Sequence, residues 1–399
     1  MKTFIISTVL LTCLTGGIYA QTAGSAAITG TVTDASKSVV PAVAVTIRNT
    51  DTGAERRTET NAAGLYSAAF LPPGAYEVEA AAQGFAKVIR KDLVLQVGQS
   101  LTIDFTLTVQ STQTEVTVTG ESPVLDPDKT EVSQVVSETA VSNLPVSGRR
   151  WDTFVFLTPN VTTDGTSGMV SYRGLSGLYN SNTVDGANNN QALFSEARGR
   201  AGSGTYVYSL DSIREYEVTS SSYSAELGQA AGGVVNAVTK SGTNQIHGDV
   251  FYYLRYPTWN ALDPFPKSQG IYTQPIHQWQ QFGGSVSGPL IKDKLFGFFT
   301  YDGSRKDNPV TYTSTTYGPS VHALTCPVQL STTQCTSANA FLAGLQGTYP
   351  RGTNNDILFG KLDYQFNSKN HLSTSYDYAN NTAPNASAES IRLTTPSFR

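Results

Sequence analysis

Past Asn244 the chain alternates with a period of two, and this constrains its fold more than any single motif. In "NQIHGDVFYYLR" the residues Ile246, Gly248, Val250, Tyr252 and Leu254 are apolar or small, while the positions between them include Gln245, His247, Asp249 and Arg255. Leu358, Gly360, Leu362, Tyr364 and Phe366 alternate in the same way with Lys361, Asp363 and Gln365. Leu372, Thr374, Tyr376 and Tyr378 alternate with His371, Ser373, Ser375 and Asp377. Successive side chains of a strand point to opposite faces, so segments of about ten residues with this pattern present one apolar and one polar wall, as membrane-crossing strands do. Beyond the N-terminus no stretch approaches the roughly 18 apolar residues of a spanning helix, so a membrane-spanning part can only be a β-barrel.

The competing fold for such strands is a soluble sandwich with one wet face, and the spacing of the strands separates the two. Strands placed at 244–256, 278–288, 295–303, 356–366 and 371–380 are joined by long, short, long and short connections in turn. That is the order expected when outer loops are long and inner turns short. "PLIKDK" (Pro289 to Lys294) and "NSKN" (Asn367 to Asn370) are then inner turns, and the stretch with Cys326 and Cys335 an outer loop. Gln245 to Arg399 supplies only about five or six such strands, whereas closure requires many more and an open sheet would leave unpaired backbone edges in lipid. Residues 244–399 therefore read as the start of an outer-membrane β-barrel, incomplete in this chain, which is expected to be the N-terminal portion of a longer protein or a truncated product.

The N-terminus carries Lys2, an apolar run from Phe4 to Leu14 and a small residue, Ala20, before Gln21. This is a signal-peptide pattern over residues 1–20, and it implies export. Cys13 leaves with it. Cys326 and Cys335 remain, and two cysteines close in sequence in an exported chain favour a disulfide between them. With 27 Lys+Arg against 31 Asp+Glu, no basic face argues for nucleic acid.

Residues 25–110 hold short alternating runs separated by turn signals. In "LTIDFTLTV" the residues Leu101, Ile103, Phe105, Leu107 and Val109 share one face, and several such strands at short spacing indicate a β-sandwich. The run "NAAGLY…LPPGAYEV" within "GTVTD…AAAQGF" resembles the carboxypeptidase regulatory-like domain, a transthyretin-like sandwich also classed with carbohydrate-binding-like folds. The resemblance does not extend to peptidase chemistry. None of His247, His277, His322 and His371 belongs to an H-x-x-E pair, and their scatter fits no local metal-ligand spacing, so no metal or cofactor is expected.

Residues 111–124, "STQTEVTVTGESPV", favour a strand but lack a partner strand at hairpin distance. An unpaired strand of this kind is suited to pairing with another protein's sheet edge. From 125 to 243 a short helix, strands and polar loops mix. Here Arg173-Gly174, Val184-Asp185-Gly186, "IREYEV" (Ile213 to Val218) and "AELGQAAGGVVNAVTK" (Ala225 to Lys240) occur in order. They resemble the plug-domain motifs of TonB-dependent outer-membrane receptors. Thr219-Ser220-Ser221-Ser222 stands where Arg-Gly-Pro is usual, and "LPVSGRRW" together with the N-terminal sandwich is similar to the Oar-like branch rather than to siderophore receptors.

The whole is thus mainly β: a transthyretin-like sandwich, a mixed α+β plug and the first strands of a barrel. The resemblance implies an outer-membrane receptor with the sandwich in the periplasm, importing a carbohydrate or peptide-derived substrate. It makes residues 111–124 a TonB-box-like linker, in which Thr114, Glu115, Val116, Thr117 and Val118 contact a TonB-type inner-membrane partner. Arg173, Gly174, Asp185, Gly186, Glu217, Gly232, Gly233 and Lys240 fall at plug-motif positions. The four charged ones imply polar contacts within the plug or to the barrel wall, and Gly232-Gly233 a close backbone approach. The alternative is an outer-membrane adhesion or carbohydrate-binding protein without transport, with Tyr66, Tyr76 or Phe85 stacking on sugar. No Gly-rich phosphate loop, G-x-S-x-G elbow or Cys/His nucleophile pattern points to an enzyme.

Overall fold

A computed structural model describes residues 25–109, 115–119, 131–165, 169–192, 197–199, 206–224, 227–259, 261, 278–307, 309–312, 331–344, 347–349, 351–368 and 370–383. The N-terminal strands are β1 (Ala26–Asp34), β2 (Ala44–Asn49), β3 (Glu55–Glu59), β4 (Leu65–Leu71), β5 (Gly74–Ala81), β6 (Lys87–Leu95), β7 (Ser100–Thr102), β8 (Phe105–Leu107) and β9 (Glu115–Thr119). They form two sheets, β4-β1-β7 with β8 also on β1, and β3-β2-β5-β6-β9. Strict alternation of buried and half-exposed positions along β1 and β5 leaves one face of each for a shared core. Ile28, Val32, Ile47, Val78, Leu95, Phe105 and Leu107 fill it.

The predicted fate of residues 114–118 changes here. Glu115–Thr119 is not an isolated strand: it pairs parallel with β6, from Lys87↔Glu115 to Lys91↔Thr119, and forms the edge of the larger sheet. A parallel partner has to lie at least a crossover away in sequence, so a search at hairpin distance misses it. Thr114 lies outside the described residues.

The central unit contains β10 (Val132–Val136), α1 (Glu138–Asn143), β11 (Val161–Asp164), β12 (Met169–Tyr172), β13 (Ser181–Val184), β14 (Ala187–Asn188), β15 (Ile213–Ser221) and β16 (Val234–Thr239). Ser137 caps α1, its Oγ accepting from the Ala140 amide. The main sheet runs β10-β15-β16-β13-β14, with β13 and β16 parallel. Trp151, Phe154, Tyr172, Ile213, Tyr216 and Val218 build its core.

The third part is a meander of long antiparallel strands: β17 (His247–Arg255), β18 (Gln278–Ile291), β19 (Leu295–Asp307), β22 (Gly352–Gln365) and β23 (His371–Thr382), hydrogen-bonded in that order as an open sheet. Between β19 and β22 lie β20 (Val310–Tyr312), α2 (Thr332–Gly344) and β21 (Gly347–Tyr349). Short turns join β18 to β19 and β22 to β23, and the long connections lie at the other end. Val250 is 91% exposed and Ile246, Tyr252, Leu362 and Tyr376 are exposed beside it on the outer face. The inner face of β19 buries Phe296, Phe298, Thr300, Asp302 and Ser304 against the central unit. No helix among the described residues is long and apolar enough to cross a membrane.

Candidate functional site: contact between the central unit and the wall

Two hairpin-like turns in the central unit carry predicted motif residues. Asp185 and Gly186 join β13 to β14 with positive φ at both positions, 48° and 79°. Two left-handed residues suit the right-handed twist of a tight hairpin, and Asp-Gly meets that demand with least strain. Arg173 and Gly174 repeat the pattern at 54° and 79°, and the Arg173 guanidinium donates to the Gly232 carbonyl at 3.4 Å. Gly232 and Gly233 pack against side chains: a Cβ on Gly233 would lie about 2.5 Å from the Tyr172 ring, and one on Gly232 would meet Asn180 Oδ1.

Asp185 is fixed by its own fold before it meets the wall. The Thr239 amide donates to Asp185 Oδ1 at 2.9 Å and the Thr239 hydroxyl to Oδ2. From β22 the Lys361 ammonium, 7% exposed, reaches Asp185 Oδ2 at 3.3 Å and donates to Thr239 Oγ1 at 2.9 Å. A buried lysine needs such a counter-charge, since desolvation alone would disfavour its charge.

A second contact centres on Asp302 of β19. It accepts from the Tyr206 hydroxyl at 2.9 Å and from Ser209 Oγ at 3.0 Å. Tyr206 in turn accepts from Gln281 Nε2 of β18 at 2.9 Å, and its carbonyl takes Asn355 Nδ2 of β22 at 2.9 Å. Arg149 pairs with Asp211 at 2.6 Å, lies 3.9 Å from Asp302, and stacks its guanidinium 3.8 Å from the Phe251 ring centre. Burial works against the Arg149 charge, but Asp211 and Asp302 outweigh it and hold its pKa above the ordinary value. Burial likewise pushes the Asp211 carboxyl up, with Arg149 opposing, and raises Tyr206 well above a free phenol. The central unit is thus held to the wall by buried paired charges and hydrogen bonds.

The remaining predicted residues face other ways. Lys240 donates its amide to the Ser212 carbonyl. Glu217 lies in β15, 3% exposed, on the same strand face as Glu215 and beneath Gly98 of the sandwich. The Val97 amide donates to Glu215 Oε1 at 2.6 Å. A further junction joins all three parts: the Asn244 amide donates to the Asp51 carbonyl at 2.9 Å, and Asn244 Nδ2 donates to Asp293 Oδ1 at 2.7 Å in the β18–β19 turn. The sandwich therefore sits at the short-turn end of the wall. Cys335 is disulfide-bonded, while Cys326 lies outside the described residues.

Tyr66 and Tyr76 are buried, with their hydroxyls donating to the Ile103 and Pro72 carbonyls, and Phe85 packs partly buried on the same core. Tyr66 and Tyr76 therefore offer no open ring face for a sugar. Sequence reasoning missed Arg149, Tyr206, Ser209, Asp211, Gln281, Asp302 and Asn355. The signal available for Asp302 was a charge at an inward position of a wall strand.

The chain resembles known proteins in parts. Residues 27–108 match the family model described as carboxypeptidase regulatory-like domain, and residues 238–346 that described as outer membrane beta barrel domain. Over 288 residues the chain is 27% identical to the TonB-dependent transporter Oar of Myxococcus xanthus, covering 69% of this chain and 26% of that protein. The chain thus spans about a quarter of the length of that curated relative. Among solved structures, the outer membrane transporter YddB of Escherichia coli aligns at 14% identity and TM-score 0.46, covering 63% of this chain and 33% of that one. A mutant ferric enterobactin receptor of Pseudomonas aeruginosa aligns at 15% identity and TM-score 0.43, covering 64% and 33%. From the Oar relative and the two family models, the chain is a homologue of Oar-type TonB-dependent outer-membrane receptors, with a carboxypeptidase regulatory-like domain preceding an outer-membrane β-barrel segment.

Proposed function

We propose that this chain supplies the plug, the coupling strand and part of the barrel of a receptor that imports a substrate across the outer membrane, driven by a TonB-type inner-membrane complex. The observation that carries the reading is the central unit's attachment to the inner face of the wall through Lys361–Asp185 and Arg149–Asp302. Such a unit closes a barrel while its contacts hold and opens it when they are broken by force. Residues 125–243 are the plug in this reading, and Arg173, Gly174, Asp185, Gly186, Gly232, Gly233 and Lys240 shape its turns and contacts.

The coupling strand is Thr114 to Val118. Its described part lies at a sheet edge beside the short-turn end of the wall, where a periplasmic partner would approach. Main-chain hydrogen bonds of an added strand give affinity with little demand on side chains. The substrate, carbohydrate or peptide-derived, would enter from the end with the long connections.

The test uses Val116→Cys in the protein as expressed in cells, with a cysteine in the edge strand of the TonB periplasmic domain. A cross-link from Val116→Cys that Arg57→Cys, on the opposite edge strand of the same sheet, does not form supports the reading. Equal cross-linking from both edges, or none from Val116→Cys, would remove it.

A further inference from the structure

The strand to which β9 is paired leads directly into the turn that touches the central unit. β6 ends at Leu95, and the next residues, Gln96 to Gln99, form a tight turn braced by the Gln96 amide donating to Gln99 Oε1 at 3.0 Å. At its tip Val97 is fully buried outside the sandwich core, and Gly98 has a φ of 68°. The Val97 amide donates to Glu215 Oε1, and Gly98 lies so close to the Glu217 carboxylate that a Cβ there would overlap it. Both carboxylates project from one face of β15, the strand between β10 and β16 in the central sheet. That strand is buried on both faces, with Tyr216 and Val218 in the core on one and the sandwich turn over the other.

We propose that the carboxypeptidase regulatory-like domain is a coupling adaptor: the partner's strand adds to the free edge of β9 without extracting it, and the pull passes through β6 and the Val97–Gly98 turn to Glu215 and Glu217. This rests on the coupling reading above. Five paired residues join β9 to β6 in parallel. A pull along the strand axis loads all of their hydrogen bonds together, whereas peeling would load them one at a time. The load then reaches the central unit at β15, next to the strand that carries Thr239, which is bonded to both Asp185 and Lys361. The alternative route runs along the backbone from β9 to β10 and bypasses the sandwich.

Breaking the clamp while leaving β9 and the backbone intact separates the two routes. Ser212→Cys, at a fully buried position in the central unit, reports opening by its reaction with a water-soluble maleimide in cells. In the otherwise intact protein, labelling should rise severalfold when the inner membrane is energised. Gly98→Ala from the sandwich side and Glu215→Ala with Glu217→Ala from the other should each hold labelling at its unenergised level, while the Val116→Cys cross-link to the TonB domain persists. A retained rise in both clamp variants would overturn the proposal in favour of the backbone route. High labelling with or without energy would overturn it too, since the turn would then only stabilise the central unit. Loss of the cross-link in the unmodified clamp would instead remove the coupling reading, and the adaptor with it.

Discussion

The Lys361 ammonium of the wall and the Asp185 carboxylate of the central unit meet at 3.3 Å, with Thr239 bonded to both. Lys361→Met keeps the length of the side chain and removes its charge. Asp185 retains its two Thr239 bonds and partial exposure, so the loss is expected at about 1–3 kcal/mol, the cost of an incompletely satisfied polar group. Equilibrium denaturation should show a lower midpoint with an unchanged slope. Adding Asp185→Asn to Lys361→Met should recover part of it, since the second change removes the orphaned charge.

Arg149→Ala should cost more. It strips the counter-charge from Asp211 and Asp302 together and removes a guanidinium stacked on Phe251. Removing one partner of a buried charge group typically costs about 3–5 kcal/mol. Arg149→Lys should restore little, because an ammonium cannot reproduce the planar stack while reaching both carboxylates. Thermal melts of the three proteins would rank them wild type, then Arg149→Lys, then Arg149→Ala.

Gly233→Ala probes packing rather than charge. The added methyl would sit about 2.5 Å from three atoms of the Tyr172 ring, which is itself buried in the central core. Overpacking of this kind costs about 1–3 kcal/mol. The same substitution at Gly360, where the added Cβ would meet only Phe299 Cδ2 at 4.0 Å and φ is not positive, is the control without overpacking.

Wall strands were legible because their signal is local. Lipid on one side and a wet or filled lumen on the other act on consecutive residues, and Val250, Tyr252, Leu362 and Lys361 fall on the faces that alternation assigns them. Where it breaks down, as at Ile357 and Phe359 on the inner face of β22, the strand packs on the central unit, with Phe359 against Tyr208. An apolar residue facing inward thus marks a contact that the sequence shows only as an exception. The Asp302 cluster was illegible because its members are gathered by tertiary folding from β18, β19, β22 and two loops. The pairing of β9 was missed for the same reason.

Spin labels test the alternation directly. Labels at Val250 and Tyr252 should be broadened by oxygen, which concentrates in lipid, and labels at Asp249 and Phe251 should not. Phe251 stacks on Arg149 at the inner face, so its label should be the most immobile of the four. Equal broadening at all four positions would contradict the assignment of the outer face.

The clamp between sandwich and central unit should depend on pH through Glu215. Burial pushes this carboxyl up to about 7 from an ordinary value of 4.5, against the opposing hydrogen bond from the Val97 amide. Its docked form therefore binds a proton more readily than its released form. Docking is favoured by this group fully below pH 4.5 and loses that contribution as the pH rises through the interval to about 7. Each unit of displacement corresponds to roughly 1.4 kcal/mol, shared between docking of the sandwich and burial within the central unit itself. Hydrogen-exchange protection of the Val97 amide, corrected for the intrinsic pH dependence of exchange, should fall across that interval. Glu215→Gln keeps an acceptor but cannot ionise, so its protection should be flat with pH; a slope unchanged by the substitution would assign the titration to another group.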